Sequence, residues 1–229
     1  MRRNGEGSLP FKTYRLSQKP KLAPHFDRLA QEGWPVFLRQ RDELGVGASW
    51  PLLFSTFAEF QFALCTEAGG VAAIGHTLPF VWDGTPEGLP DSLADLLERG
   101  IDNRKRRRPP TTLSALAAIV SPRYRTQGLS AAVLRAMRAL ARAHGLSALV
   151  APVRPTLKAS YPLTPMERYV EWKRPDGSPF DPWLRVHWRL GAEFVRIAPW
   201  TLSPSGRRGP ECGSRRAGPT SCRGRCSPS

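Results

Sequence analysis

The sequence predicts an α/β (α+β) fold, and three stretches carry that expectation. Leu113 to Val120 is an apolar run of strand length, followed by a basic turn, an amphipathic segment from Leu129 to His144, Gly145 as a stop, and a second apolar run from Ser147 to Val153. A strand, a turn, a helix and another strand make a βαβ-like unit. Glu59–Glu67 and Gly70–Thr77 alternate in character on either side of Ala68-Gly69, which reads as a β-hairpin turning near Glu67–Gly70. Pro182 to Leu190 reads as a later helix with Asp181 as its cap, Pro182 at its first position and Gly191 at its end.

Taken in chain order, residues 1–21 are a polar, basic and flexible lead-in holding at most one short strand around Phe11 to Leu16. Ala23 to Gly33 places Phe26, Leu29 and Ala30 on one helical face. Arg39 to Gly45 is charged and loop-like, and Trp50 to Phe57 is an aromatic-rich helix or lid. The second hairpin strand is expected to continue through Leu78 to Trp82 with a bend at Pro79. Asp91 to Gly100 is a short amphipathic helix with Leu93, Leu96 and Leu97 inward and Gly100 as its stop. Arg104 to Pro110 is a basic loop, either simply solvated or able to steer an anion.

In the helix from Leu129 to His144, Val133, Leu134, Met137, Leu140 and Ala141 form the apolar stripe, and Arg135, Arg138 and Arg142 lie on the other side. Gly145 suits the left-handed position after a helix. Pro152, Pro155, Pro162 and Pro165 shape a loop that also holds Tyr161, Met166, Glu167 and Tyr169. Glu193 to Trp200 reads as one more strand. Residues 205–229 turn to Arg, Gly, Ser, Pro and Cys without apolar periodicity and read as disordered.

The 229 residues suffice for one core with appendages. The formal charge of +15 is concentrated in the two ends and the Arg104–Arg108 run. Such charge invites a nucleic-acid reading, but no zinc-finger spacing and no aromatic RNA-binding motif accompanies it, so nucleic acid is disfavoured as the main ligand. Cys65 sits in an apolar run, and Cys212, Cys222 and Cys226 fall in the tail without metal-binding partners. His25, His76 and His144 lack ligand spacing, so no metal is expected. No stretch reaches the ~20 apolar residues that cross a bilayer, and the start has no apolar signal core. A cytoplasmic protein without a membrane partner is the expectation.

The turn Ser121-Pro122-Arg123-Tyr124-Arg125-Thr126-Gln127-Gly128 opens a helix. A helix start carries unpaired amides and a partial positive charge, glycine lets the backbone approach a ligand, and Arg123 and Arg125 add charge. Together these suit a phosphate or pyrophosphate; the alternative is an ordinary strand-to-helix connection with solvated arginines.

This segment resembles the acyl-CoA-binding signature of the GNAT superfamily of N-acetyltransferases, Gln/Arg-x-x-Gly-x-Gly/Ala after a strand and opening a helix. Arg125 takes the first position, Gly128 the glycine, and Ser130 the last small position, where serine departs mildly from the pattern. Leu184 to Ala192 resembles the family's later helix, with His187 where a tyrosine is usual. The resemblance covers about two-thirds of the chain, Phe57 to Pro199, and implies a mixed, mostly antiparallel central sheet flanked by helices. It implies residues 22–204 as the acyltransferase domain. The family normally adds two strands after the last helix; Glu193 to Leu202 can supply one, and nothing after it reads as the other. A natural tail, a truncated relative and a shifted reading frame all stay open.

The resemblance implies acyl transfer, acetyl first, from acetyl-CoA or another acyl-CoA to a primary amine. The acceptor class is a small molecule ahead of a protein amine, in a monomer or homodimer. It places the pantetheine arm beside Ala118, Ile119 and Val120, and the pyrophosphate against Arg123, Arg125, Thr126, Gln127, Gly128, Leu129 and Ser130. The amine must lose a proton, the oxyanion needs a donor and the thiolate needs an acid. His187 is the candidate acid, or else a packed helix residue, with Tyr161 or Tyr169 as stand-ins. Glu167 leads Glu59 and Asp83 as candidate base because of the aromatic residues around it, which either wall a pocket or merely fix the loop. A non-catalytic or degenerate acyl-CoA-binding module is the main alternative.

Overall fold

The computed structural model describes residues 11–33 and 46–198. Five strands, β1 (Phe11–Arg15), β2 (Phe62–Thr66), β3 (Val71–Phe80), β4 (Thr112–Val120) and β5 (Ala148–Val150), lie in the order β1-β2-β3-β4-β5. The first three pairings are antiparallel and β4–β5 is parallel. The sheet is mixed and mostly antiparallel, as its hairpin and βαβ unit require. The helices are α1 (Ala23–Gly33), α2 (Val46–Ser49), α3 (Leu52–Ser55), α4 (Leu93–Lys105), α5 (Leu129–Ala143), α6 (Met166–Val170) and α7 (Pro182–Arg189).

Alternation along the strands sorts the core into two layers. Ala63, Cys65, Ile74 and Ile119 pack with Phe26 and Leu29 of α1. Phe62, Leu64 and Ala115 pack with the buried stripe of α5, Val133, Leu134, Met137, Leu140 and Ala141. That stripe is the one the helical spacing picks out. The hairpin turns between Thr66 and Gly70, where Thr66 N donates to Gly70 O at 2.8 Å. Gly145 has φ +68°, the left-handed stop after α5.

β2 accompanies β3 only from Val71 to Gly75. Beyond that, the Gln61 side chain substitutes for a strand. Its Nε2 donates to Thr77 O at 2.8 Å and its Oε1 accepts from Thr77 N at 3.3 Å. Pro79 falls past this pair, where β3 has a strand neighbour on the β4 side only. A residue without an N–H is tolerated there, so β3 runs through Pro79 to Phe80 instead of bending.

Several boundaries move. The short strand expected around Phe11 to Leu16 is β1, which pairs in full with β2, so this part of the lead-in forms the first edge of the sheet. Gly100 does not stop α4, which continues to Lys105 and takes Arg104 and Lys105 out of the loop. Its role is close approach: a Cβ on Gly100 would sit 2.6 Å from Leu78 Cδ2. The strand expected over Glu193–Trp200 is absent among its described residues, 193–198. Arg196 holds that segment to the loop before α4, donating from Nη2 to Leu89 O, Pro90 O and Asp91 Oδ1 at 2.6, 3.0 and 2.8 Å, while Phe194 and Val195 stay exposed. The expected tail, 205–229, and the rest of the lead-in, 1–10, lie outside the described residues.

Candidate functional site

β4 begins with neighbours on both sides and loses one partway along. Thr112, Leu113 and Ser114 pair with Ala148, Leu149 and Val150, and there β5 ends. Immediately afterwards the β3–β4 register slips, with Thr77 opposite Ala115 but His76 opposite Ala117. Leu116 is therefore the extra residue of a β-bulge, which bends the strand. Burial changes with it: Thr112 to Ala115 are buried, whereas Leu116, Ala117, Ala118 and Val120 are only partly so. Among the described residues, the edge of β4 at Ala118, Ile119 and Val120 consequently has no strand on its β5 side. An extended amide-containing chain can hydrogen-bond there as a missing strand would.

At the end of that open edge, a 3-10 turn (Pro122–Tyr124) leads into α5. Thr126 and Gly128 both have positive φ, +67° and +74°. Thr126 is unusual as a non-glycine residue in the left-handed region. Gly128 is the N-cap of α5 and offers no side-chain cap. Among the described residues, the backbone amides of Thr126, Gln127, Gly128, Leu129 and Ser130 make no hydrogen bond; the first amide engaged is Ala131 N, to Gly128 O at 3.1 Å. Successive free N–H groups around left-handed residues form an anion-binding concavity, reinforced by the helix dipole. Arg123 and Arg125 are exposed beside it and carry no ion pair among the described residues. A Cβ on Gly128 would meet nothing within 4 Å, so the space in front of it is open.

α7 packs against α5. Arg138 Nη1 of α5 donates to Leu190 O at 3.5 Å. His187 faces Trp183 edge-on with ring centroids 4.6 Å apart. Its Nε2 is buried without a hydrogen-bond partner among the described residues, and burial pushes the pKa below the ordinary histidine value. It is neutral at neutral pH.

The proline-rich loop is held by its own aromatic residues. Tyr161 packs on Tyr169, Trp172 and Phe180, with centroids 5.9, 4.9 and 5.8 Å apart. Asp181 ties this cluster to α7. Oδ1 caps the helix, accepting from Trp183 N at 2.9 Å and Leu184 N at 3.2 Å, while Oδ2 accepts from Leu157 N at 2.8 Å and the Tyr169 hydroxyl at 2.9 Å. Of the two readings of these aromatic residues, fixing the loop is the one their mutual packing supports. Glu167 lies in the first turn of α6, exposed, with no hydrogen bond or ion pair among the described residues.

Sequence reasoning missed the bulge at Leu116, the left-handed Thr126 and the second half of Asp181's role. A bulge is set by the register between two distant strands and leaves no local signature. The capping signal found Asp181, but nothing nearby in sequence pointed to Leu157 or Tyr169. Among the described residues no group of three His, Cys, Asp or Glu side chains is placed to hold a metal, and no helix is long and apolar enough to cross a membrane.

No family model matches the chain. Over 143 residues, 58% of its length, it is 38% identical to the arginine N-acetyltransferase avaD of Aspergillus versicolor, and the chain spans about half (48%) of that relative. Among solved structures it is similar to the loading GNATL domain of CurA from Lyngbya majuscula, with TM-score 0.63 and 19% identity over 82% of this chain and 87% of that one. It is also similar to the GNAT-like decarboxylase GphF in complex with isobutyryl-CoA, with TM-score 0.59 and 19% identity over 78% and 84%. With β4 paired to β5 only as far as Ser114 and a nest of amides at the head of α5, the chain has the GNAT-like fold of these two solved structures.

Proposed function

We propose that the protein transfers an acyl group, acetyl in the first instance, from acyl-CoA to the amine of a small molecule. The observation that carries this reading is the continuity between two open features. The free edge of β4 at Ala118–Val120 runs directly into the free amides of Thr126–Ser130. The pantetheine amides pair along the edge, and the diphosphate meets the amides with Arg123 and Arg125 beside it. The thioester then lies toward the bulge, and the amide of Leu116, displaced from regular pairing, is the candidate donor to the oxyanion.

His187 is assigned to the leaving thiolate: its neutral imidazole takes the proton that the amine nitrogen sheds after attack, and the imidazolium so formed passes it to sulfur as the C–S bond breaks. Tyr161 is the stand-in for that role, and Glu167 is the candidate for deprotonating the amine through water. The similarity to an arginine N-acetyltransferase favours an amino-acid amine as acceptor and supports acetyl as the acyl group. Acyl-CoA binding without transfer is the second reading, favoured by the exposure of Glu167 and the packing of Tyr161 into its aromatic cluster.

The test is calorimetric titration with acetyl-CoA, followed by release of free CoA thiol across a panel of amines that includes arginine. Binding with amine-dependent thiol release supports transfer. Binding without release on any amine supports the second reading. A folded protein that takes up no CoA thioester overturns both.

A further inference from the structure

A cavity among the described residues is at the other end of β4 from the proposed acyl-CoA site. It has a volume of about 680 Å³ and lies beneath the sheet, between the C-terminal ends of α4 and α5. Pro109 and Pro110, which lead into Thr112, form part of its wall, as does Pro79, the cross-strand partner of Leu113. The nest of amides follows Val120, eight strand steps or ~27 Å away along β4. A volume of this size is within the range of small-molecule sites.

The wall is apolar and flat. Phe57 and Phe60 line it, and the His144 ring lies on Phe60 with centroids 4.5 Å apart and planes inclined by 39°. The rim is cationic. Arg104, Arg107 and Arg108 line the cavity, all exposed, and none makes a side-chain hydrogen bond or ion pair among the described residues. Their neighbour Arg106 is different, because Asp102 Oδ1 accepts from its Nε at 2.8 Å. Arg107 is also held at φ +53°, a backbone conformation that disfavours any side chain.

The opposing charges determine the ligand's class. Glu59 lines the same cavity, and the C-terminal ends of α4 and α5 each add about half a negative charge. Three guanidiniums against these leave an excess of about one positive charge, which matches a monoanion. A guanidinium fork fits a carboxylate in its own plane, and rings of phenylalanine, histidine and proline favour a flat aromatic body.

We propose that this cavity is a second binding site, separate from the proposed acyl-CoA site, for a small aromatic carboxylate. Charge draws the ligand to the rim, and its ring lies along the Phe57–Phe60 wall. The basic run that charge alone offers to nucleic acid thereby has a small-molecule role.

The full chain is titrated by calorimetry with indole-3-propionate, with propionate and indole-3-propanol as partners that lack the ring or the charge. The expected result is affinity for indole-3-propionate at least about 10-fold above either partner, with a loss of about 10-fold or more in an Arg104→Glu/Arg108→Glu double variant whose melting temperature is unchanged. Affinity should also be the same within about twofold in the presence of acetyl-CoA. Equal affinities for the three compounds, full binding in the double variant, mutual exclusion with acetyl-CoA, or no heat at about 10 mM ligand each overturns the site.

Discussion

The Tyr169 hydroxyl donates a hydrogen bond to Asp181 Oδ2 at 2.9 Å, deep in the protein, and joins the proline-rich loop to the helix that carries His187. Burial pushes the Asp181 carboxyl up, but hydrogen bonds from Leu157, Leu184, Tyr169 and Thr156 outweigh it, so the net pKa is below the ordinary aspartate value. Removing the hydroxyl in Tyr169→Phe takes one donor from a buried charged oxygen and should cost about 1.5–3 kcal/mol in a denaturant titration. A depressed carboxylate stabilises the fold above its unfolded pKa and stops doing so as pH falls through the folded one. The difference between wild type and Asp181→Asn should therefore shrink below pH ~4, and a constant difference down to pH 2 would contradict this account.

Gly128 combines open space with φ +74°. Gly128→Asp sets a carboxylate against the proposed diphosphate position and should lower acetyl-CoA affinity by about 100-fold or more. Gly128→Ala carries only the conformational penalty, about 1–2 kcal/mol, and should keep most of the affinity. Calorimetry on both variants reads the difference, and equal loss in the two would point to backbone strain instead of charge.

His187→Phe should lower turnover about 10–100-fold with little change in acetyl-CoA affinity, since the ring is assigned to proton transfer alone. Its lowered pKa implies that the wild-type rate is insensitive to this group at neutral pH and declines only below pH ~6.5. A pH–rate profile of the variant without that lower limb would support the assignment. Turnover equal to wild type would remove His187 from it.

His76 is buried between Phe26, Phe54 and Trp50, and desolvation lowers its pKa to about 3. It folds neutral and charges when the chain unfolds. Its stabilising contribution is complete above pH ~6.5 and is lost as pH falls toward the folded value, at about 1.4 kcal/mol per pH unit. Between pH 6 and 4, His76→Phe should flatten the pH dependence of stability by about that slope, which urea titrations at a series of pH values would measure.

Local rules carried the elements that obey them. The apolar stripe of α5, the Asp181 cap and the Thr66–Gly70 turn follow from spacing and turn chemistry. Gly100 misleads, because glycine marks either a helix end or a close approach, and only the Leu78 side chain decides between them. Pro79 misleads in the same way, since its tolerance depends on Gln61 occupying the place of a strand. The candidate site was signalled by Arg125, Gly128 and Ser130, whereas the open edge of β4 depends on where β5 ends and β4 bulges. Both are relations between strands distant in the sequence.

Arg196 meets Asp91 across 105 positions of chain. The intervening length includes β4, α5 and β5, so the part of the molecule with the candidate site begins and ends at one place. One guanidinium fastens what amounts to a ring. Cutting the chain inside that ring need not release either piece, because β4 stays paired with β3 along its length.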